Sequence, residues 1–167
     1  MNTRPALLTD AAAIVEIWNA IIRDPHITFT TVLKTVDGIG AMIAERQAAG
    51  EAFYVGEADG AVVGFATYSA FRGGPGYART KELSINLAPE ARGHGLGRAL
   101  MGALEAHGRA AGVHSLVAGV SGANADGIAF HKAVGFDVAG ILPEAGWKYG
   151  VYLDLVLMQK RLLAAPS

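Results

Sequence analysis

Apolar residues recur at steps of three and four from Ile14 through Ile17, Trp18, Ile21 and Ile22. That spacing predicts a helix with one buried face, opened by the capping residues Thr9 and Asp10. A short extended segment, Asn2 to Ala6, comes before it. "RDPHITFTT" breaks the pattern at Pro25, and a second helix is expected from about Val36 to Ala49, stopped by Gly50. "AFYVGEADGAVVGFATYSAF" reads as two strands joined at Asp59-Gly60, a strong hairpin signal. "RGGPG" is a loop, and Thr80 to Leu87 reads as another strand. Leu96, Leu100, Ala103 and Leu104 restore the helical period between Gly95 and about Ala111. "SLVAGV" then reads as a buried strand and Asn124 to Val134 as a helix, and "FDVAGILP" with "VYLDLVLMQKRL" closes the chain as two strands. The order is strand, two helices, three strands, helix, strand, helix, two strands. It predicts an α/β fold with a mixed sheet in one domain over residues 1–167. No repeat or linker interrupts it.

Composition narrows the function. The chain has 167 residues, 51% hydrophobic and 17% charged, which gives a sizeable core and argues against disorder. The net charge of −1 offers no overall attraction to nucleic acid or to an anionic membrane, so any anion site must be local. The absence of cysteine removes disulfides, thiolate metal sites and Cys nucleophiles together. Asp10 and Glu16 fall where a signal peptide would be apolar, and no run approaches the roughly 20 apolar residues of a spanning helix. A cytoplasmic protein with no membrane and no nucleic-acid partner is the expectation.

"ARGHGLGRALMGAL" concentrates glycine where a helix begins. A dinucleotide fingerprint started at Gly93 and Gly95 fails at Arg98, and no G-K-[ST] is present for a P-loop. What remains is R-x-x-G-x-G, from Arg92 through Gly93, His94, Gly95 and Leu96 to Gly97, set between a strand and an amphipathic helix. Free N–H groups and the positive helix end would converge there with Arg92 and Arg98, a fit for pyrophosphate. A connector without a ligand is the alternative. "NADGIAFHKAVGF" follows some thirty residues on.

With these two motifs, in this order, the chain resembles the GNAT superfamily of acetyl-CoA-dependent N-acetyltransferases over nearly its whole length. The resemblance implies a twisted, mostly antiparallel central sheet flanked by helices, with acetyl-CoA as co-substrate. It assigns the pyrophosphate loop to Arg92–Arg98 and a cofactor contact to Asn124. Ile85, Asn86 and Leu87 would border the acetyl arm. "TKELSINLAPEARGHGLGRAL" together with "GWKYGVYLDLVLMQKRL" is similar to the phosphinothricin and methionine sulfoximine N-acetyltransferases, with Lys148, Gly150, Leu153-Asp154 and Met158-Gln159 in register. The chain departs from that group at Leu83, Asn86, Arg72-Gly73 and Tyr152. A homodimer is left open.

Acetyl transfer needs a neutral amine, a stabilised oxyanion and a proton for the thiolate. Glu82 is the candidate general base, and a solvated strand carboxylate is the alternative. A backbone N–H near Asn86 or Leu87 would meet the oxyanion. The family's tyrosine acid maps to His131, which is read either as the acid or as a packed helix residue. Arg72 is the candidate clamp for a substrate carboxylate, against the reading of a surface arginine. Leu83, Ser84, Phe29, Phe71 and Tyr77 are candidate walls of the acceptor pocket. No histidine has metal-ligand spacing, so no metal is expected. "GVSGA" nearly matches the hydrolase elbow but ends in Ala, and no histidine stands well downstream. The expected partner is a small amino-acid-like amine. A polyamine or peptide N-terminus, and a non-catalytic acyl-CoA sensor, stay open as rivals.

Overall fold

Residues 1–162 are described by a computed structural model. The expected order of elements is present. Strand β1 covers Asn2–Pro5, α1 Ala11–Arg23, α2 Val36–Ala48, β2 Phe53–Ala58, β3 Ala61–Ala70 and β4 Thr80–Leu87. Helix α3 covers Leu96–Ala110, β5 Ser115–Ser121, α4 Ala125–Ala133, β6 Asp137–Lys148 and β7 Val151–Arg161. One seven-stranded sheet runs in the order β1-β2-β3-β4-β5-β7-β6. Every neighbouring pair is antiparallel except β4 and β5. That single parallel pair needs a crossover, and α3 supplies it.

The period-2 alternation of the strands separates two cores. On β2 and β3, Phe53, Val55 and Phe65 face one way and pack under α1 and α2 with Ile14, Trp18, Ile22, Ile39 and Ile43. Ala52, Ala66 and Tyr68 face the other way and join Leu96, Leu100 and Leu104 of α3. The α3 seat is tight. A Cβ on Gly56 of β2 would fall 2.6 Å from a Leu96 methyl, so the start of α3 lies almost on the sheet backbone.

Local signals acted as expected in most places. Asp59 and Gly60 both take positive φ, 51° and 79°, as a two-residue type I′ hairpin requires. The Thr35 hydroxyl accepts from Gly38 N–H and opens α2, and Gly50 at φ 73° follows its end. Two expectations need correction. Asp10 sits at the N-cap of α1, but its carboxylate does not cap that helix; it accepts from Leu7 N–H and pairs with Arg4. The sixth strand continues past Pro143 to Lys148, through register shifts at Val138/Gly140 and Leu142/Gly146. A proline cannot donate to a ladder, yet β6 lies at the sheet edge, where that loss is tolerated. Among the described residues no helix is long and apolar enough to cross a membrane.

Candidate active site

The β4–β5 ladder lasts for three pairs only: Thr80–Ser115, Lys81–Leu116 and Glu82–Val117. Beyond Glu82 the two strands part, while β4 stays paired to β3 as far as Leu87 and β5 stays paired to β7 as far as Ser121. A wedge therefore opens in the middle of the sheet. Phe71 N–H bonds Thr80 C=O and Ala88 N–H bonds Val63 C=O, so the even-numbered main-chain groups of β4 turn toward β3. By alternation, the groups of Leu83, Ile85 and Leu87 turn toward the wedge. Of the two candidate oxyanion donors, only Leu87 N–H faces the opening; that of Asn86 belongs to the β3 ladder. Arg92 bonds the Leu87 carbonyl at 3.4 Å from the same side.

A cavity of about 920 Å³ occupies the wedge. Glu82, Leu83, Ser84, Ile85, Asn86 and Leu87 of β4 all border it. Arg92, Gly93, Gly95, Gly97 and Arg98 close one end, with Asn124 and His131 from α4. Gly93 and Gly95 have φ of 77° and 85°, a left-handed conformation that an L side chain resists, and a Cβ on either would meet only open space. Gly95 is the N-cap of α3 and carries no side-chain cap, so the first amides of the helix have no acceptor from the chain. These amides and two arginines suit a diphosphate. Gly97 has a different reason to be glycine. A Cβ there would lie 3.0 Å from the Phe130 ring and 3.2 Å from a Leu87 methyl, so it serves helix-to-strand packing.

Asn124 caps α4 by accepting from Gly127 N–H at 2.9 Å, which leaves its amide NH2 as the group that can donate into the cavity. His131, only 7% exposed, has Nδ1 2.7 Å from the Gly127 carbonyl. That contact assigns the proton to Nδ1, and Nε2 is a buried atom with no partner. Burial lowers the imidazole's pKa, partly offset by the Gly127 carbonyl. Its neutral form has no proton at Nε2 to give.

Glu82 is exposed by surface area but stands in a concave wall. Partial withdrawal from water raises its carboxyl above the ordinary value of 4.5, and the Arg72 charge pulls partly back. Its Oε1 would lie 3.4 Å from a Cβ on Gly119, so glycine on β5 leaves the carboxylate its room. Of "GVSGA", Gly119 to Ser121 end β5 and Gly122-Ala123 form the turn before α4. The buried Ser121 hydroxyl accepts from Ala123 N–H, and no histidine bonds it.

The far end of the cavity is apolar, with Trp18 and Ile21 of α1 and Ile27, Thr28 and Phe29 after it, facing Leu155 of β7. Of the expected wall residues, Phe29, Leu83 and Ser84 are in place. Tyr77 is not: it is 46% exposed and its ring stacks edge-on against Phe71, outside the lining. Arg72 also lies outside, stacked over Phe71, with its charge felt at Glu82. His94 is exposed and away from the cavity, and the Leu96 side chain is turned into the core. Trp18 and Gly119 escaped sequence reasoning. One belonged to a helical stripe that reads as core, the other to a false elbow. Among the described residues no cluster of His, Asp or Glu could hold a metal.

The model of the Acetyltransferase (GNAT) family matches residues 15–136. The chain is 35% identical over 162 residues to the L-methionine sulfoximine/L-methionine sulfone acetyltransferase of Salmonella typhimurium, covering 97% of this chain and 95% of that one. It is 34% identical over 162 residues to an L-amino acid N-acyltransferase of Escherichia coli, covering 97% and 94%. Its fold superimposes with a TM-score of 0.91 on a GNAT superfamily phosphinothricin acetyltransferase from Sinorhizobium meliloti in complex with AcCoA. That match is 33% identical and covers 96% of this chain and 88% of that one.

The loop geometry predicts that Gly95→Val weakens coenzyme A binding by roughly tenfold, because the free loop relaxes out of a left-handed turn that costs valine about 1–2 kcal/mol and binding must restore it. Calorimetric titration of the folded variant checks it; unchanged affinity contradicts it.

Proposed function

The chain belongs to the GNAT family of N-acetyltransferases, and on that premise we propose that it acetylates the amine of a small free amino acid or a close analogue. The reading rests on one observation above the others. The wedge joins an uncapped, glycine-lined helix end to an apolar pocket, and Glu82 lies on the strand that connects them. Glycines and arginines at the first end suit the diphosphate of acetyl-CoA. The named activities of the relatives, on methionine sulfoximine, methionine sulfone and L-amino acids, favour an amino-acid acceptor at the second.

Glu82 takes the proton of the incoming ammonium, and its raised pKa makes it a better base than an ordinary carboxylate. Its exposed position lets that proton pass on to water. The neutral nitrogen then bonds to the acetyl carbon while the Leu87 N–H meets the carbonyl oxygen as it gains charge. As the C–S bond breaks, one of the two protons on the new C–N nitrogen goes to the departing sulfur and the other stays as the amide N–H. The balance needs no separate acid, and His131 in its neutral form packs α4 between Phe130 and Phe136.

Arg72 is the cation that can pair with a substrate carboxylate near Glu82. A polyamine would instead want acidic groups, whereas the segment leading into β4 carries Arg72 and Arg79, with Lys81 on the strand itself and paired with Glu51. A panel of free amino acids and their amides, assayed by thiol release from acetyl-CoA, tests the reading. The acids should be acetylated and the amides poorly, and Arg72→Ala should raise KM for the acid by roughly ten- to a hundredfold. Equal turnover of acid and amide would point to a peptide terminus or a simple amine.

Glu82→Gln should lower kcat/KM by about 10²–10⁴-fold at neutral pH, with less loss at high pH, where more amine is already neutral. The sign of the pKa shift adds a second expectation. A carboxyl raised in the folded state stabilises the fold while protonated and loses that advantage as pH rises through the folded pKa. The glutamine variant should thus melt no lower than wild type at pH 7. A pH-independent loss of a few-fold, or a clear drop in Tm, contradicts the role.

A further inference from the structure

Lys148 is 1% exposed, yet among the described residues it has no carboxylate partner. Its ammonium donates to the main-chain carbonyls of Asp24 at 2.6 Å and Ile27 at 2.7 Å, and approaches the Thr28 hydroxyl at 3.5 Å. The Tyr149 ring centroid lies 5.6 Å away. Burial lowers the lysine's pKa, and the nearby Asp24 charge raises it in part. A buried ammonium is costly, and two main-chain acceptors from another element are a specific way to offset that cost.

What those acceptors belong to matters more. Asp24 terminates α1, and Ile27, Thr28 and Phe29 form the apolar end of the cavity. Thr28 has φ 57°, a strained value for a β-branched residue that persists only where its surroundings hold it. A second contact ties the same two segments together. The Phe29 ring lies against the backbone of Gly146, so closely that a Cβ there would fall 2.6 Å from two ring atoms. Gly146 and Lys148 flank Trp147 at the end of β6, which carries no cavity-lining residue of its own.

We propose that Lys148 is a positioning residue for the amine-binding end of the site. It clasps the 24–29 segment to the β6–β7 hairpin, so that Ile27, Thr28 and Phe29 stand as a fixed wall for the acceptor side chain. This rests on the amino-acid reading of the pocket above. The clasp itself is a matter of loop order, which can be measured without any substrate.

Lys148→Met removes the donors, Lys148→Arg keeps the charge in a different shape, and Gly146→Ala pushes the Phe29 ring while leaving Lys148 in place. Amide hydrogen exchange should quicken at residues 24–31 in Lys148→Met and stay unchanged at 91–98. For the amine that the wild type acetylates best, kcat/KM should fall roughly ten- to a hundredfold in Lys148→Met, mostly through KM. Gly146→Ala should shift the same parameter in the same direction, and Lys148→Arg should restore part of it. Acetyl-CoA KM should stay within a factor of two in all three.

Unchanged amine KM in folded Lys148→Met and Gly146→Ala overturns the proposal, as do equal rises for both substrates. If Lys148→Met fails to fold, Gly146→Ala decides by the same measure. A wild-type chain that acetylates no amino acid removes the amino-acid reading alone. Exchange at 24–31 then still decides the clasp, and an unaltered rate there refutes it.

Discussion

Two strands that run parallel for three pairs and then separate impose most of the rest of this molecule. A sheet that opens in its middle leaves main-chain donors and acceptors without a ladder partner. Leaving such a group buried and unpaired costs about 1–3 kcal/mol, so the opening must be filled with water or with a ligand. The groups left without a ladder partner are the Leu83 carbonyl and both groups of Ile85 and Leu87, because alternation commits their neighbours to β3. Glu82 stands at the last pair before the split.

The wedge also explains where the glycines fall. Gly93 and Gly95 turn the chain from β4 into α3 through left-handed conformations, and Gly56 and Gly97 let that helix settle on the sheet and against Phe130. Gly119 gives the Glu82 carboxylate space across the gap. Conformation, packing and clearance are three separate demands, and together they bring a positive helix end and a raised carboxyl to one cavity. At the other end, the order of the 24–29 segment comes from β6, through Lys148 and Gly146. The two halves of the site thus depend on different parts of the fold.

Helical periodicity and the Asp59-Gly60 turn were enough to place the elements up to β5, because each is a local signal. The edge strand β6 was read short, since Pro143 carries a local meaning that an edge position overrides. The glycine loop, Glu82 and Asn124 were legible through their spacing and the resemblance it supports. The wedge itself was not, because the length of a parallel ladder is decided by two segments some thirty residues apart. For the same reason Trp18 reads as core and Gly119 as part of a false elbow, while Tyr77 reads as a wall but lies outside the cavity lining. Lys148 is legible only as a matter of register. Its partners, more than a hundred residues away, carry no pattern that points to it.

The central claim is that the amine and the acetyl donor meet in one cavity and that the acetyl group passes between them directly. No cysteine is available to carry it, and the buried Ser121 hydroxyl is engaged with Ala123 N–H. Initial rates with both substrates varied test this most directly. Lines that intersect in double-reciprocal plots, together with no acetylated protein by mass spectrometry after incubation with acetyl-CoA alone, are the predicted result. Parallel lines and a covalently acetylated side chain within the wedge would contradict it.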